Sequence, residues 1–323
     1  MKKITIIIAF FIGISSIQAQ RDTTEAFQFS IKKWNIKVID FENFYPTYLA
    51  DPLAVRFEVS SQTMLYSDID FFDEINEGEE YKGKLVINPG VRISLFKFRS
   101  KANSELGFEV ELGMTIPTTM RAGNHDVIAV DGIYYFALAA RPFEWLNLRF
   151  SKHHICTHVG DEFPSGRVIS PSDIDPNVTQ LPVRDDFIFS TSVKPLYFLK
   201  NPKWDILHVY GDFGFFKPGT DFMGSRQNKP HNHAFLNFQT GAELEYYFNK
   251  EYFGGVFAAY NVSAYQLNAY SPNQSLMLGY IFPQTRNEKK LRIGLNYYNG
   301  RSLANQFYNK KEKFIAFSVA IDI

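Results

Sequence analysis

The residue types best suited to chemistry in this chain are concentrated in residues 152–163, KHHICTHVGDEF. This stretch contains three of the seven histidines and the only cysteine, and two acids follow them. On a β-strand the Cα atoms of His154 and Cys156 would lie about 6.6 Å apart on one face. The imidazole could then draw the proton from the thiol. Such a pair is suited to acyl transfer from a lipid ester.

The N-terminus predicts export from the cytoplasm. Lys2 and Lys3 precede an apolar run, residues 4–14, and Ala19 stands at a plausible cleavage point, as is typical of a secretory signal peptide. The run is shorter than the roughly 20 residues of a membrane-spanning helix. We expect a signal peptide over residues 1–19, a periplasmic or lumen-entering segment over residues 20–50, and a β-barrel over residues 51–323.

Composition favours a membrane β-barrel. Aromatic residues make up 16% of the chain and hydrophobic residues 45%, yet apolar and polar positions alternate with the period of two that is typical of strands. In the last strand, for example, Ile315 and Phe317 share one face and Ala316 and Ser318 the other. Lys and Arg together number 34, as do Asp and Glu, so no basic surface indicates a nucleic-acid partner.

The alternating segments predict an all-β fold, an antiparallel transmembrane barrel of about twelve strands in the bacterial outer membrane. Short connections alternate with long ones, as the periplasmic turns and outer loops of such barrels do. Charged residues on the inward face would pair across a narrow lumen, which makes the barrel more plug than pore. The predicted strands begin near Leu53, Lys84, Glu105, Val127, Leu146, Phe187, Trp204, Ala234, Gly254, Asn273, Leu291 and Lys313.

The same periodicity assigns a face to each candidate site residue. Leu146, Leu148 and Phe150 begin the lipid-facing set of the fifth strand, and steps of two bring His154, Cys156 and His158 to that face near the outer rim. If Arg141 pairs with Leu146 across the preceding turn, Asp131 lies opposite Cys156 and diagonal to His154. His154, Cys156, Asp131 and His158 are therefore the candidate catalytic residues, with Asp131 orienting the base.

Other interpretations of these residues remain open. Histidine, tyrosine and lysine are common at membrane interfaces, and a lone lipid-facing cysteine is often a small hydrophobe. Asp161 and Glu162 could supply oxygen ligands to calcium or to a cation bound to lipopolysaccharide. No other cofactor is predicted, because the chain has no glycine-rich phosphate loop and no nucleotide fingerprint.

Two segments together resemble an uncharacterised family of exported bacterial proteins, domain of unknown function twelve-zero-seven. They are residues 45–60, YPTYLADPLAVRFEVS, and residues 153–163, HHICTHVGDEF. The family has an ADP segment early, H-x-S-S-H-x-G-D-E midway, and an Asp about one strand before it. The matching residues here are Leu49, Ala50, Asp51, Pro52, Phe57, Asp131, His154, Thr157, His158, Gly160, Asp161 and Glu162.

More distantly, a histidine two residues before the nucleophile is similar to the catalytic pair of outer-membrane phospholipase A and of the lipid A deacylase barrel. In those enzymes the site faces the membrane, and the resemblance implies lipid substrates. This chain has Cys156 where they have serine, and no asparagine follows it.

The sequence leaves three functions open. The barrel could be a lipid acyl hydrolase or acyltransferase that acts on outer-membrane lipids or lipopolysaccharide. It could instead be a non-enzymatic surface-binding protein or a small channel. The oligomeric state is not predicted.

Overall fold

The computed structural model describes residues 28–69, 83–123, 125–160, 183–199, 206–218, 235–284 and 289–322. The predicted signal peptide lies outside these residues, as do Asp161 and Glu162.

The described residues form a closed antiparallel β-barrel of twelve strands, so the predicted fold class and strand number are confirmed. Two of the twelve are each interrupted at a proline, Pro89 and Pro117, which has no N–H to give to the ladder. A short hairpin, β1–β2, precedes the barrel, and β2 pairs with β5. The strands are β1 (Gln28–Ile31), β2 (Trp34–Asp40), β3 (Phe57–Ser67), β4 (Gly83–Asn88), β5 (Gly90–Ser100), β6 (Gly107–Thr115), β7 (Thr118–Arg121), β8 (Val127–Phe143), β9 (Leu146–Val159), β10 (Val183–Val193), β11 (Leu207–Pro218), β12 (Phe235–Asn249), β13 (Gly254–Tyr265), β14 (Pro272–Ile281), β15 (Lys290–Arg301) and β16 (Lys311–Asp322).

Helical structure in the described part of the chain amounts to short 3₁₀ turns, at Tyr197–Leu199, Gln266–Asn268 and Asn305–Phe307. No helix there is long and apolar enough to span a membrane.

The outside of the barrel is apolar. Large hydrophobic side chains that alternate along the strands are exposed, such as Phe136, Leu138 and Phe317, while the small residues between them are buried. At the end with the tight turns, exposed aromatic rings cluster, as in the interfacial girdles of outer-membrane barrels; they are Phe143, Phe198, Phe248, Tyr252 and Phe253. A closed ladder leaves no backbone group unpaired in hydrocarbon. The protein is therefore a barrel of the bacterial outer membrane.

Residues 41–56 fold into the lumen, and the barrel wall binds their backbone. Glu109 Oε1 accepts the N–H of Phe44 at 2.6 Å, and Glu243 Oε1 accepts the N–H of Leu49 at 2.5 Å. Arg92 donates to the carbonyl of Tyr45 at 2.9 Å. Buried backbone groups need such partners. Inward-facing charges therefore hold this segment, which we call the plug, and they also pair with one another, as Arg92 does with Glu111.

The plug also packs through its side chains. Tyr48 stacks on Tyr210 with ring centroids 3.5 Å apart and donates its hydroxyl proton to Asp212 at 2.8 Å. Leu49 and Ala50 join a buried apolar cluster with wall residues that include Phe257. The lumen is filled at this level, which disfavours an open channel.

We predict that Arg92→Met loosens the plug. Arg92 donates to Glu111 at 2.7 Å, to Thr47 at 2.5 Å and to the plug backbone, and removing one member of such a buried network costs about 3–5 kcal/mol. Hydrogen exchange of residues 44–50 should rise and the melting temperature in detergent should fall. Arg99→Met is the control, because the Arg99–Glu42 pair is partly exposed. Equal protection of residues 44–50 in both variants would contradict the assignment.

Candidate functional site

The outward face of β9 carries the candidate nucleophile and base. Leu148 and Phe150 are exposed, whereas Ser151 and Thr157 on the other face are buried. His154 and Cys156 follow the exposed set, and so does His158, which is exposed near the outer end of the strand. The alternation places these three residues toward the membrane.

An aspartate of the neighbouring strand holds the imidazole of His154. In the β9–β10 ladder Asp185 lies opposite His154, and its Oδ1 is 2.9 Å from the imidazole Nδ1. Tyr134 of β8 stacks on the other side, with ring centroids 4.7 Å apart. An imidazole that donates Nδ1–H to a carboxylate keeps the Nε2 lone pair available to accept a proton.

The thiol of Cys156 lies beside a residue that has no side chain. Gly132 of β8 is opposite Cys156, and the thiol donates to the Gly132 carbonyl with a sulfur–oxygen distance of 3.6 Å. A Cβ on Gly132 would lie 2.8 Å from the sulfur. Gly132 therefore leaves a gap in the outer surface into which the sulfur projects.

Lys152 adds a positive charge to the same face. Its Nζ lies 3.7 Å from Asp185 Oδ2 and 5.8 Å from the centre of the Phe187 ring. Asp185 is thus placed between an imidazole and an ammonium group.

Asp131 does not occupy the predicted position. The β8–β9 ladder pairs Asp131 with Thr157 and Gly132 with Cys156, one residue away from the expected register. The register shifts at an irregularity between Ala140 and Phe143. The turn itself consists of only two residues, Glu144 and Trp145. The odd-numbered residues of β8 from 129 to 139, Asp131 among them, therefore face the lumen.

Arg141 and Glu144 stabilise this irregular hairpin. Arg141 donates to Asn147 Oδ1 and to the Phe44 carbonyl of the plug, both at 2.8 Å. Glu144 accepts from Asn103 at 2.8 Å and from Tyr197 at 3.0 Å, and these hydrogen bonds lower the pKa of its carboxyl group below the usual value.

Inside the barrel, Asp131 has a structural role. It is 2% exposed, and its Oδ2 accepts the backbone N–H and the side-chain amide of Asn305, each at 3.0 Å. Asn305 begins the 3₁₀ turn that follows β15. The carboxylate thereby ties an outer connection to the inner wall of the barrel.

The histidine next to the candidate base lies on the other face of β9. His153 faces inward, where it stacks on Tyr135 with a centroid distance of 4.7 Å and lies 2.9 Å from Ser151 Oγ. Asp161 and Glu162, proposed as calcium ligands, are outside the described residues. Among the residues that are described, no three His, Cys, Asp or Glu side chains are arranged to hold a metal ion.

Sequence reasoning missed Asp185 because β10 was expected to begin at Phe187, whereas the strand starts at Val183. A signal was present. Steps of two back from Phe189 and Phe187, which belong to the apolar set, lead to Asp185. An acid in the row of lipid-facing aromatic residues requires a partner.

The comparisons with known proteins concern only the fold of the chain. No family model matches the chain, so membership of the domain of unknown function family stays a prediction. No curated protein matches it either.

Solved structures of outer-membrane barrels are similar in architecture. Outer membrane phospholipase A from Escherichia coli is 12% identical, with a TM-score of 0.45 over 87% of this chain and 94% of that one. The calcium-bound dimer of the Salmonella typhi outer membrane phospholipase is 10% identical, with a TM-score of 0.46 over 84% and 93%. The NanC porin is 10% identical, with a TM-score of 0.44 over 83% and 100%. These likenesses concern the barrel alone.

We predict that Gly132→Ala displaces the thiol of Cys156. The new methyl group would occupy the space that the sulfur uses, so the sulfur must turn to another rotamer. The rate of alkylation by a membrane-permeant maleimide should therefore change by several-fold. Gly211→Ala is the control, because a Cβ there meets its nearest atom at 3.8 Å, an ordinary contact. Identical alkylation of the wild type and Gly132→Ala would refute this placement of the sulfur.

Proposed function

We propose that the protein is a lipid acyl hydrolase or acyltransferase of the outer membrane, with Cys156 as nucleophile, His154 as base and Asp185 as the orienting acid. The observation that carries this proposal is the 2.9 Å contact between His154 Nδ1 and Asp185 on the lipid-facing surface, two residues from the chain's only thiol. A base fixed by a third group beside a nucleophile is the arrangement that nucleophilic catalysis requires.

The proposed chemistry follows from the two nitrogen atoms of His154. Nε2 takes the proton of Cys156, and the thiolate attacks the carbonyl carbon of an ester. The alkoxide leaves with the proton that Nε2 returns, and the acyl group remains as a thioester. Water then releases a fatty acid, or an alcohol accepts the acyl group. Asp185 stabilises the imidazolium that exists between these proton transfers.

The position of the site supports a lipid substrate. His154 and Cys156 face outward among apolar side chains, so an ester can approach them from the membrane without passing through the lumen. They lie near the end of β9 that is remote from the tight turns. The proposed substrates are therefore phospholipids or lipid A of the outer leaflet, and the plugged lumen is consistent with a scaffold rather than a pore.

We expect Cys156→Ala and His154→Ala to abolish release of fatty acid from phospholipid or lipid A vesicles that contain the purified protein. Asp185→Asn should lower the rate constant by about 100-fold or more, since proton transfer to a positioned base contributes at least that much. Liquid chromatography of the released acids measures both effects, and mass spectrometry of Cys156→Ala should show no acyl-enzyme.

The control for these variants is Tyr260→Phe, an exposed aromatic residue on β13, four strands away from β9 around the barrel. It should retain wild-type turnover. Undiminished turnover in Cys156→Ala would remove the thiol from catalysis, and a wild-type protein without activity on either substrate would overturn the proposed function.

A further inference from the structure

A second feature of the barrel is independent of its lipid-facing surface. The outer half of the lumen encloses a cavity of about 130 Å³. The inner faces of β9–β15 form most of its wall, and Asp51, Pro52 and Leu53 at the tip of the plug form its floor. Leu303, Asn305 and Tyr308 from the connection after β15 contribute to its lining. The plug therefore leaves a chamber above it.

The charges around this chamber are balanced. Three arginines and three aspartates line it, namely Arg149, Arg184, Arg301, Asp51, Asp186 and Asp212. Arg184 and Asp186 form an ion pair at 3.2 Å. Asp212 accepts from Tyr48, and Asp51 accepts the N–H of Leu53 at 3.0 Å. A strongly charged ligand gains little net attraction from such a wall, because opposite charges cancel over short distances.

Between the charged groups the wall is rich in amides, which contribute both donors and acceptors. Asn237, Gln239, Asn261, Asn268 and Asn273 line the chamber. Two of them are fixed by neighbours: Asn261 Oδ1 accepts from Gln239 at 2.9 Å and also from Tyr210 at 2.9 Å. These amides are held in place before any ligand binds, which lowers the entropic cost of binding.

Some polar groups in this wall lack hydrogen-bond partners among the described residues. Asp186 is 2% exposed, and its Oδ1 has no hydrogen-bond partner among the described residues. Asn237 is 7% exposed, and no hydrogen bond from its amide is found within that same part of the chain. Nε of Arg149 and Nε of Arg301 are likewise buried without an acceptor there. Leaving a buried polar group without a partner is unfavourable, so an occupant should supply both acceptors and donors.

We propose that this chamber is a binding site for a neutral, monosaccharide-sized carbohydrate. A sugar ring presents several hydroxyl groups, each of which both donates and accepts. It therefore matches the unpaired acid, amide and guanidinium groups without adding charge to a balanced wall. The volume is close to the roughly 150 Å³ of an engineered cavity that holds one six-membered ring, and Tyr265 and Tyr298 add ring surface to the lining.

The test is binding of unmodified sugars to the full-length protein in a detergent without a sugar headgroup. Saturation-transfer NMR with glucose, galactose and N-acetylglucosamine should show transfer to at least one of them, with a Kd in the millimolar range. Acetate and methylammonium are the charged comparators and should show none. Transfer to the charged comparators alone, or no transfer to any sugar, would overturn the proposal, the latter leaving a chamber that holds only water.

The variant Asn237→Leu tests whether the sugar binds in this chamber. It removes an unpaired amide from the chamber at nearly constant size, and we expect the Kd to rise about tenfold, which equals about 1.4 kcal/mol. The matched control is Gln62→Leu, which changes a buried lumen-facing amide that lines only a separate cavity of about 40 Å³. Equal weakening by both variants would show that the sugar binds elsewhere.

This proposal does not rest on the proposed lipid chemistry. Cys156→Ala should bind the sugar with unchanged affinity, because the thiol faces the membrane. The two functions are separate if Asn237→Leu loses sugar binding but keeps lipid hydrolysis, and if Cys156→Ala loses lipid hydrolysis but keeps sugar binding.

Discussion

The architecture depends on one constraint: a chain that crosses hydrocarbon must satisfy every backbone N–H and C=O internally. Closing the ladder between β3 and β16 meets this requirement for the wall, and it fixes the alternation of lipid-facing and lumen-facing side chains along each strand. The same constraint applies to the plug, which has no ladder of its own. Its backbone groups are satisfied instead by Glu109, Glu243 and the arginines of the wall. Charges inside a narrow lumen thus become partners for an inserted chain.

The alternation made most of the fold predictable from the sequence. Twelve strands, an apolar exterior and inward charges such as Glu109 and Glu111 follow from residues two apart, because each face of a strand meets only one solvent. The register between two strands of a hairpin does not follow from this alternation, because it depends on how the turn closes. Two residues at the base of β8, Arg141 and Pro142, oppose Asn147, and this single irregularity moved Asp131 from the predicted membrane face to the lumen.

The alternation along β8 alone indicates the correct face for Asp131. Tyr134, Phe136 and Leu138 form its apolar outer row, and Asp131 lies out of step with them. A face assigned by counting paired residues outward from a turn is wrong whenever the hairpin contains an irregularity. A face assigned by the alternation within one strand does not depend on the turn. The contact between His154 and Asp185 could not be derived in either way, because it joins strands separated by a long connection whose length says nothing about register. Only the assembled sheet pairs them.

The two recognisable segments of the sequence meet at β9. Its outward residues, His154 and Cys156, face the membrane, whereas its inward residues, such as His153, line the chamber whose floor is the Asp51–Pro52–Leu53 tip of the plug. Arg149, two steps of the alternation before His153, lies over the Tyr45 ring of the plug at 4.4 Å. One strand therefore serves two environments with alternate residues, and a substitution on one face need not disturb the other. Because strand side chains stand on opposite sides of the sheet, residues adjacent in the sequence, His153 and His154, belong to separate sites. A histidine-rich segment on a membrane strand should accordingly be divided by parity before any shared metal or catalytic role is assigned to it.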